Sequence, residues 1–265
     1  MKKTLKYFFS SVALICFLYF FPVFTILFIL CGIYDVSRNT ELDLSVFRQY
    51  FAANGVLTWL ASPFNVLFDI LSLPFINKGV YKLEDLPLAY QTEIKDMIDT
   101  AKRENLIEKL EKRVEELPRA MFFFKWYGKN VPTSIDIKDF QKDFRYVRTI
   151  GVSVFKQRES TSRHFGPFRA TFRVLYSISD VTDENVYIKV GKYENHWKDE
   201  KLFIFDDTLL HQSFNDSDNP RYVLFVDVLR PSYLNFFFDF AVTLTRLVFK
   251  NFNGIFYKKW KMVNN

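Results

Sequence analysis

Hydrophobic and polar positions follow different rhythms in successive parts of the chain. Residues 7–34, YFFSSVALICFLYFFPVFTILFILCGIY, contain no charged side chain. That run exceeds the roughly 20 residues a helix needs to cross a bilayer, and Pro22 is tolerable within it as a kink. It is too long for the apolar core of a signal peptide, and no small-residue cleavage site follows. It predicts a transmembrane helix. After a polar stretch, residues 55–76 (GVLTWLASPFNVLFDILSLPFI) form a second apolar run, interrupted by Pro63, Asn65 and Asp69. This predicts a second, imperfect span or a helix lying in the interface. Lys2, Lys3 and Lys6 precede the first run and Lys78 and Lys82 follow the second, whereas the segment between them holds only two basic residues. The bias of basic residues toward the cytoplasm favours a hairpin with both ends inside.

From residue 88 to 117 the apolar positions recur at three- and four-residue steps: Tyr90, Ile94, Met97, Ile98 and Ala101, then Leu106, Leu110 and Val114. This predicts helix, opened near Asp85 and Pro87 and stopped by Pro118. The aromatic segment MFFFKWYGKN at 121–130 reads as a buried strand or helix end; the functional alternative is that Trp126 or Tyr127 lines a pocket. From residue 146 the period shortens. YVRTIGVSVF and residues 168–178, 185–190, 201–206 and 221–229 are short, rich in Val, Ile, Phe and Tyr, and broken by Gly, Asp and Asn. Successive strands of this kind without intervening helices predict a barrel or sandwich. Beyond Pro231, apolar residues cover one side of a helical pattern, with Asp239, Arg246, Lys250 and Lys258 on the other. This predicts an amphipathic interfacial helix whose basic residues meet lipid head groups. The chain thus divides into membrane segments (1–80), a strand-rich domain (81–231) and the amphipathic tail (232–265).

Composition narrows the class. The 32 Phe residues gather toward the two ends of the chain, which points to lipid contact, and the net charge of +6 comes without a long basic run. Nucleic acid is therefore a poor partner and an anionic membrane surface a better one. Both cysteines, Cys16 and Cys31, lie in the first apolar run, so no disulfide framework holds the polar part.

Three histidines are available for chemistry: His164, His196 and His211. His164 precedes a Gly-Pro turn between strands, and His211 follows FIFDD, where Asp206 and Asp207 suit a tight turn. Both lie at strand ends, where a barrel mouth gathers side chains. His196, in a charged hairpin, reads as surface. Non-haem iron oxygenases commonly bind Fe(II) with two histidines and one carboxylate. Here His164 begins a His-x-Gly sequence, and Gly166 offers no ligand: either water takes that position or the iron reading fails. Asp206 and Asp207 could replace it, although side chains bonding turn amides are the simpler reading. Arg221 opens the apolar strand YVLFVDVL and requires an anionic partner. That partner is either internal, such as Asp227, or a bound dicarboxylate gripped by the guanidinium fork. Arg173, within TFRVLYS, raises the same question, and Ser153 is placed to offer a hydroxyl.

HFGPFRATFR at 164–173, Trp197 with KLFIFDDTLLHQSFN up to residue 215, and RYVLFVDVLRP at 221–231 resemble the aspartyl/asparaginyl beta-hydroxylase family of Fe(II)- and 2-oxoglutarate-dependent dioxygenases. The resemblance implies a mainly β, double-stranded β-helix core, jelly-roll or cupin-like, with flanking helices. It implies His164 and His211 as metal ligands, with water in place of the third. It implies Arg221 and Arg173 as 2-oxoglutarate contacts, with Ser153 assisting, and O2 as the oxidant. The chain departs from the family at Leu175, where a histidine contacting the cosubstrate is usual, and at Asp199, Glu200 and Lys201, where a glycine is usual. An N-terminal membrane segment, SPFNVLF, FKWYG and a basic aromatic tail resemble, in their order, the bacterial lipid A acyl-chain 2-hydroxylases. The expectation is a membrane-bound hydroxylase with a cytoplasmic catalytic domain, acting on a lipid acyl chain. A peptidyl Asp/Asn beta-hydroxylase and an inactive scaffold or lipid binder of the same fold are the alternatives.

Overall fold

The computed structural model of the chain describes residues 12, 17, 19–114, 117–249 and 260–263. An N-terminal set of helices comes first: α1 (Pro22–Ser37), α2 (Leu44–Ala52), α3 (Val56–Leu60) and α4 (Ser62–Leu71). A short strand β1 (Val80–Tyr81) leads to α5 (Leu88–Arg103) and α6 (Leu106–Val114). The predicted helical stretch 88–117 is thus two helices. They part at Asn105, whose φ of 50° ends the first, and all eight predicted apolar positions lie in one buried cluster.

The remaining chain is mostly strand: β2 (Arg119–Trp126), β3 (Lys129–Asn130), the short helix α7 (Lys138–Gln141), β4 (Val147–Phe155), β5 (Glu159–Ser160), β6 (Thr171–Ser177), β7 (Val186–Val190), β8 (Tyr193–His196), β9 (Leu202–Phe205), β10 (His211–Asn215) and β11 (Arg221–Leu229), then α8 (Asn235–Phe249) and β12 (Lys261–Met262). The aromatic segment at 121–130 is therefore a buried strand closed by a tight turn. Both turn residues have positive φ, Tyr127 at 44° and Gly128 at 80°, the pairing a two-residue hairpin needs. The larger sheet runs β1-β9-β6-β11-β4-β2-β12, with β3 on β2, and the smaller runs β5-β10-β7-β8. From β4 to β11 the chain crosses between the two sheets repeatedly, so strands distant in sequence become neighbours. This is the connectivity of the expected double-stranded β-helix.

Two cores follow from strand alternation. On β11, Tyr222, Leu224, Val226 and Val228 face the cluster backed by α5 and α6. Val223 and Phe225 face the cluster between the sheets, with Leu175, Ile188 and Phe205.

The N-terminal helices are built inside out. Helix α4 buries Ser62, Asn65 and Phe68 and exposes Phe64, Leu67 and Ile70; α1 buries Thr25, Gly32 and Asp35 and exposes Phe24, Leu27, Leu30 and Ile33. The exposed side of α8 carries Phe236, Phe237, Phe240, Leu244 and Leu247. Its charged residues turn toward the protein and not toward head groups as predicted: Asp239 pairs with Arg148 at 2.6 Å and Arg246 donates to the Tyr127 carbonyl. Lys250 and Lys258 lie outside the described residues, and Lys261–Met262 is a strand, so the tail is not one helix. Among the described residues no helix is long and apolar enough to cross a membrane. The predicted span at 7–34 lies in part outside the described residues, as does Cys16, and the run at 55–76 holds the two short helices α3 and α4.

The polar inner sides of α1 and α4 meet one fully buried guanidinium. Arg169 pairs with Asp35 of α1, with Asp69 of α4 at 2.8 Å, and with Asp206 of the β9–β10 turn at 3.0 Å. Arg38 reaches Asp206 at 2.8 Å and Arg230 reaches Asp69, so three arginines face three aspartates. Burial by itself would raise the Asp206 pKa, but Arg169 and Arg38 hold it well below the usual carboxylate range. Replacing Arg169 with Met leaves buried carboxylates uncompensated and should cost about 3–5 kcal/mol. Arg103→Met, at an exposed pair with Asp139, should cost less than about 1 kcal/mol. Chemical unfolding of the two variants checks the contrast.

Candidate active site

A cavity of about 100 Å³ opens between the sheets and is lined by His164, His211, Arg173, Arg221, Ser153 and Leu175, among others. The structure thus gathers the predicted site residues around one space. Strand register explains how. On β11, Arg221 and Asp227 share the inward face, and their partners across the ladders are Phe155 of β4 and Arg173 of β6. Each facing pair interacts: the Arg221 guanidinium carbon sits 4.4 Å from the Phe155 ring centroid, and Arg173 Nε donates to Asp227 at 2.7 Å. Ser153 and Leu175 enter on the same faces, two residues from Phe155 and Arg173, and both are buried.

His164 and His211 meet through a two-way backbone bridge, each amide donating to the other's carbonyl at 3.0 Å, which sets the rings 4.2 Å apart. His211 heads β10, and His164 lies in the segment between β5 and β6. His164 Nδ1 is 2.7 Å from the Ser162 carbonyl and His211 Nδ1 is 2.8 Å from the Leu209 carbonyl. A carbonyl only accepts, so each Nδ1 carries the proton and each Nε2 keeps its lone pair, the form in which imidazole binds a metal. Burial drives both pKa values below the ordinary 6.5, and for His211 the neighbouring His164 adds to the effect. His196 lies apart on β8, stacked on Tyr187 with Nδ1 donating to Glu184.

The two aspartates after β9 divide. Asp206 accepts from the Thr208 amide, as the turn reading predicts, and also enters the arginine hub. Asp207 turns into the site instead. One oxygen lies 3.4 Å from His211 Nε2 and 3.2 Å from Arg173 Nη1. It also explains Gly166. A Cβ there would fall 2.0 Å from Asp207 Oδ2, so the glycine leaves room for a carboxylate supplied by another strand end.

The two arginines also divide. Arg173 is neutralised by Asp227 and Asp207, so Asp227, the internal partner considered for Arg221, belongs to Arg173. Arg221 is 3% exposed, and among the described residues no carboxylate pairs with it. Nη1 donates to Ser213 Oγ at 2.9 Å, while Nε is buried with no acceptor. Trp197 lies 5.7 Å away with its Nε1 likewise unsatisfied. Burial without a counter-charge lowers the Arg221 pKa to about 9. An uncompensated buried cation beside unsatisfied donors fits a carboxylate ligand, and two neutral imidazoles with free Nε2 atoms fit a divalent metal. Among the described residues no cluster of three or more His, Cys, Asp or Glu is positioned to hold a metal, which leaves the two imidazoles as the side-chain ligands on offer.

Sequence reasoning missed Ser213, Thr161, Phe155 and Trp260, which also line the cavity. Ser213 was accessible in principle, because it follows His211 by two residues on one strand. Trp260 carried no such signal. Trp126 and Tyr127 are not among the residues lining this cavity.

The model of the aspartyl/asparaginyl beta-hydroxylase family matches residues 95–231. A Rhizobium tropici protein, ornithine lipid ester-linked acyl 2-hydroxylase, is 34% identical over 80 residues, which span 30% of this chain and 28% of that protein. Similar solved structures include an oxidoreductase of the 2OG-Fe(II) oxygenase family from Burkholderia pseudomallei, at 12% identity and a TM-score of 0.31, covering 48% of this chain and 80% of that one. Another is oxalate oxidase in complex with a substrate analogue, at 10% identity and a TM-score of 0.30, covering 52% and 74%.

Two outcomes follow for metal binding, measured by titrating Fe(II) anaerobically. His211→Ala should abolish it, and Gly166→Ala should weaken it, because a Cβ there collides with Asp207 and pushes the His164 segment out of place. Because burial lowers both pKa values, the native histidines take up protons at lower pH than an ordinary imidazole, so proton competition should begin only there. Between the ordinary and the lowered values the unfolded chain takes up protons that the native imidazoles do not. Stability of the metal-free protein should therefore fall as the pH drops below about 6.5.

Proposed function

Because the chain belongs to the aspartyl/asparaginyl beta-hydroxylase family, we propose that it is an Fe(II)- and 2-oxoglutarate-dependent dioxygenase that hydroxylates an acyl chain of a membrane lipid. The single observation that carries the chemistry is Arg221, a buried guanidinium without a counter-charge in the same cavity as two metal-ready histidines. His164 and His211 would hold the iron, and Arg221, with Ser213 and Ser153 beside it, would hold the cosubstrate's carboxylate. When bound, iron and 2-oxoglutarate supply the oxidising chemistry, in which O2 places one oxygen atom on the substrate carbon and the other in succinate as CO2 is released.

The chain's own contribution is orientation and exclusion of water. Leu175, Ile188, Phe205 and Phe225 line the cavity with hydrocarbon, which keeps the guanidinium–carboxylate pairing strong. Leu175 offers no hydrogen bond, so the anchoring falls to Arg221 and its hydroxyl neighbours. Arg173 is held by Asp227 and in turn holds Asp207 beside His211, which assigns it the placing of that carboxylate in preference to gripping the cosubstrate.

The lipid substrate is supported by the inside-out helices. α1 and α4 expose large apolar side chains while burying polar ones, and α8 is apolar on its exposed side as well as its buried one, as expected of a surface that meets lipid. The relative named for an ester-linked acyl 2-hydroxylation agrees. We place the protein at a membrane, with the catalytic domain on the cytoplasmic side that the lysine distribution favours.

Anaerobically Fe(II)-loaded protein given O2, 2-oxoglutarate and membrane lipids should yield succinate and a lipid heavier by one oxygen, detected by mass spectrometry. Succinate formation with peptide hydroxylation and unchanged lipids would replace the lipid reading with the peptidyl one. Arg221→Ala should weaken 2-oxoglutarate binding by about thirty-fold or more, the loss expected when one partner of a buried charge pair is removed.

A further inference from the structure

Among the described residues that line the cavity, all but one fall between Met121 and Phe225; the exception is Trp260. It lies beyond the residues matched by the family model, which end at 231. Its position is built by pairing. β12 adds in parallel to β2, with Lys261 opposite Ala120 and Met262 opposite Met121, and the Val263 amide donates to the Met121 carbonyl at 3.1 Å. Residues three apart on a strand point to opposite faces. Accordingly Trp260 packs into the cluster between the sheets and Val263 into the cluster backed by helices. The tail strand is therefore clamped across the sheet edge by one apolar side chain on each face.

Trp260 stacks on Phe155, with ring centroids 5.0 Å apart and planes 23° apart. Phe155 is the ring that also carries the Arg221 guanidinium, at 4.4 Å. Indole, phenyl ring and guanidinium thus form one connected stack, and Trp260 is the member delivered from outside the β-helix. We propose that Trp260 is a positioning residue for the dicarboxylate site, completing its wall so that binding of 2-oxoglutarate depends on a docked C-terminal strand. The inference rests on the reading of the cavity as the 2-oxoglutarate site. Physically, the indole fixes the face of Phe155 and keeps water from the buried guanidinium. Without it, Phe155 gains rotational freedom and Arg221 gains hydration, and both weaken its pairing with an incoming carboxylate.

The test titrates 2-oxoglutarate into full-length, anaerobic, Fe(II)-loaded protein by calorimetry, without turnover. Trp260→Ala should raise Kd about ten-fold, a loss of about 1.4 kcal/mol, with Fe(II) affinity unchanged. Trp260→Phe, which keeps a stacking ring, should stay within about two-fold of wild type, and Lys261→Ala, at an exposed position on the same strand, should match it. Tryptophan emission should respond to 2-oxoglutarate in the wild type and respond less in Trp260→Phe, a readout that holds even where Trp260→Ala folds poorly. Equal 2-oxoglutarate affinity in wild type and Trp260→Ala would overturn the role of Trp260 and leave the cavity reading intact. Failure of the wild type to bind 2-oxoglutarate, or equal binding by Arg221→Ala, would overturn the cavity reading and this inference with it.

Discussion

The salt-bridge hub around Arg169 is the constraint on which the remaining architecture depends. A fully buried guanidinium is costly unless carboxylates surround it, and among the described residues the β-helix supplies only Asp206. The other two, Asp35 and Asp69, come from α1 and α4. Those helices have the converse problem, because they bury polar side chains and turn hydrocarbon outward. Each part therefore satisfies the other. The β-helix gives the helices a counter-charge for their polar faces, and the helices neutralise an arginine on the segment that carries His164.

The same contact organises the site. Phe165, next to His164, and Leu210, next to His211, both insert into a cluster with Val36 of α1 and Val46 and Tyr50 of α2. Polar contacts follow the same route: Thr58 donates to the Gly166 carbonyl, and the Leu210 amide donates to Asn39. Apolar packing fixes the depth of each loop and the hydrogen bonds fix its rotation. The two imidazoles are thus held by the sheet through their own backbone bridge and by the N-terminal helices through their neighbours.

Much of this was legible in the sequence, and the parts that were not share a cause. Strand periodicity identified the main β-helix strands, and local context together with the family resemblance singled out His164, His211, Arg173, Arg221 and Ser153, which do converge on one cavity. Local pattern cannot reveal which charge meets which. Asp206 and Asp207 are adjacent and identical, yet one enters the hub and the other the site, because successive residues leave a turn in different directions. Arg221 and Arg173 both looked in need of an anion, and only register decides that Asp227 faces Arg173. The inward pairing of the α8 charges was hidden for a related reason. Its charged residues suggested head groups until Arg148 appeared opposite Asp239. Trp260 was invisible because its partner β2 precedes it by more than a hundred residues.

The division between the two arginines carries a mechanistic consequence. A cavity holding two free guanidinium groups would bind many anions and discriminate poorly between them. Here Arg173 is neutralised in place by Asp227 and Asp207, so the accessible positive charge is concentrated at Arg221, at the β11 start, while Asp207 stays beside the histidines. The resulting field runs across the cavity, with a cation at one side and an acceptor and two lone-pair donors at the other. On the proposed reading, a ligand carrying a carboxylate at one end and metal-binding oxygens at the other would be oriented by that field before any contact is made. The hydrocarbon between the poles, from Leu175 to Phe225, preserves the field by keeping water out. Selectivity of this kind comes from pairing off one arginine as much as from leaving the other unpaired.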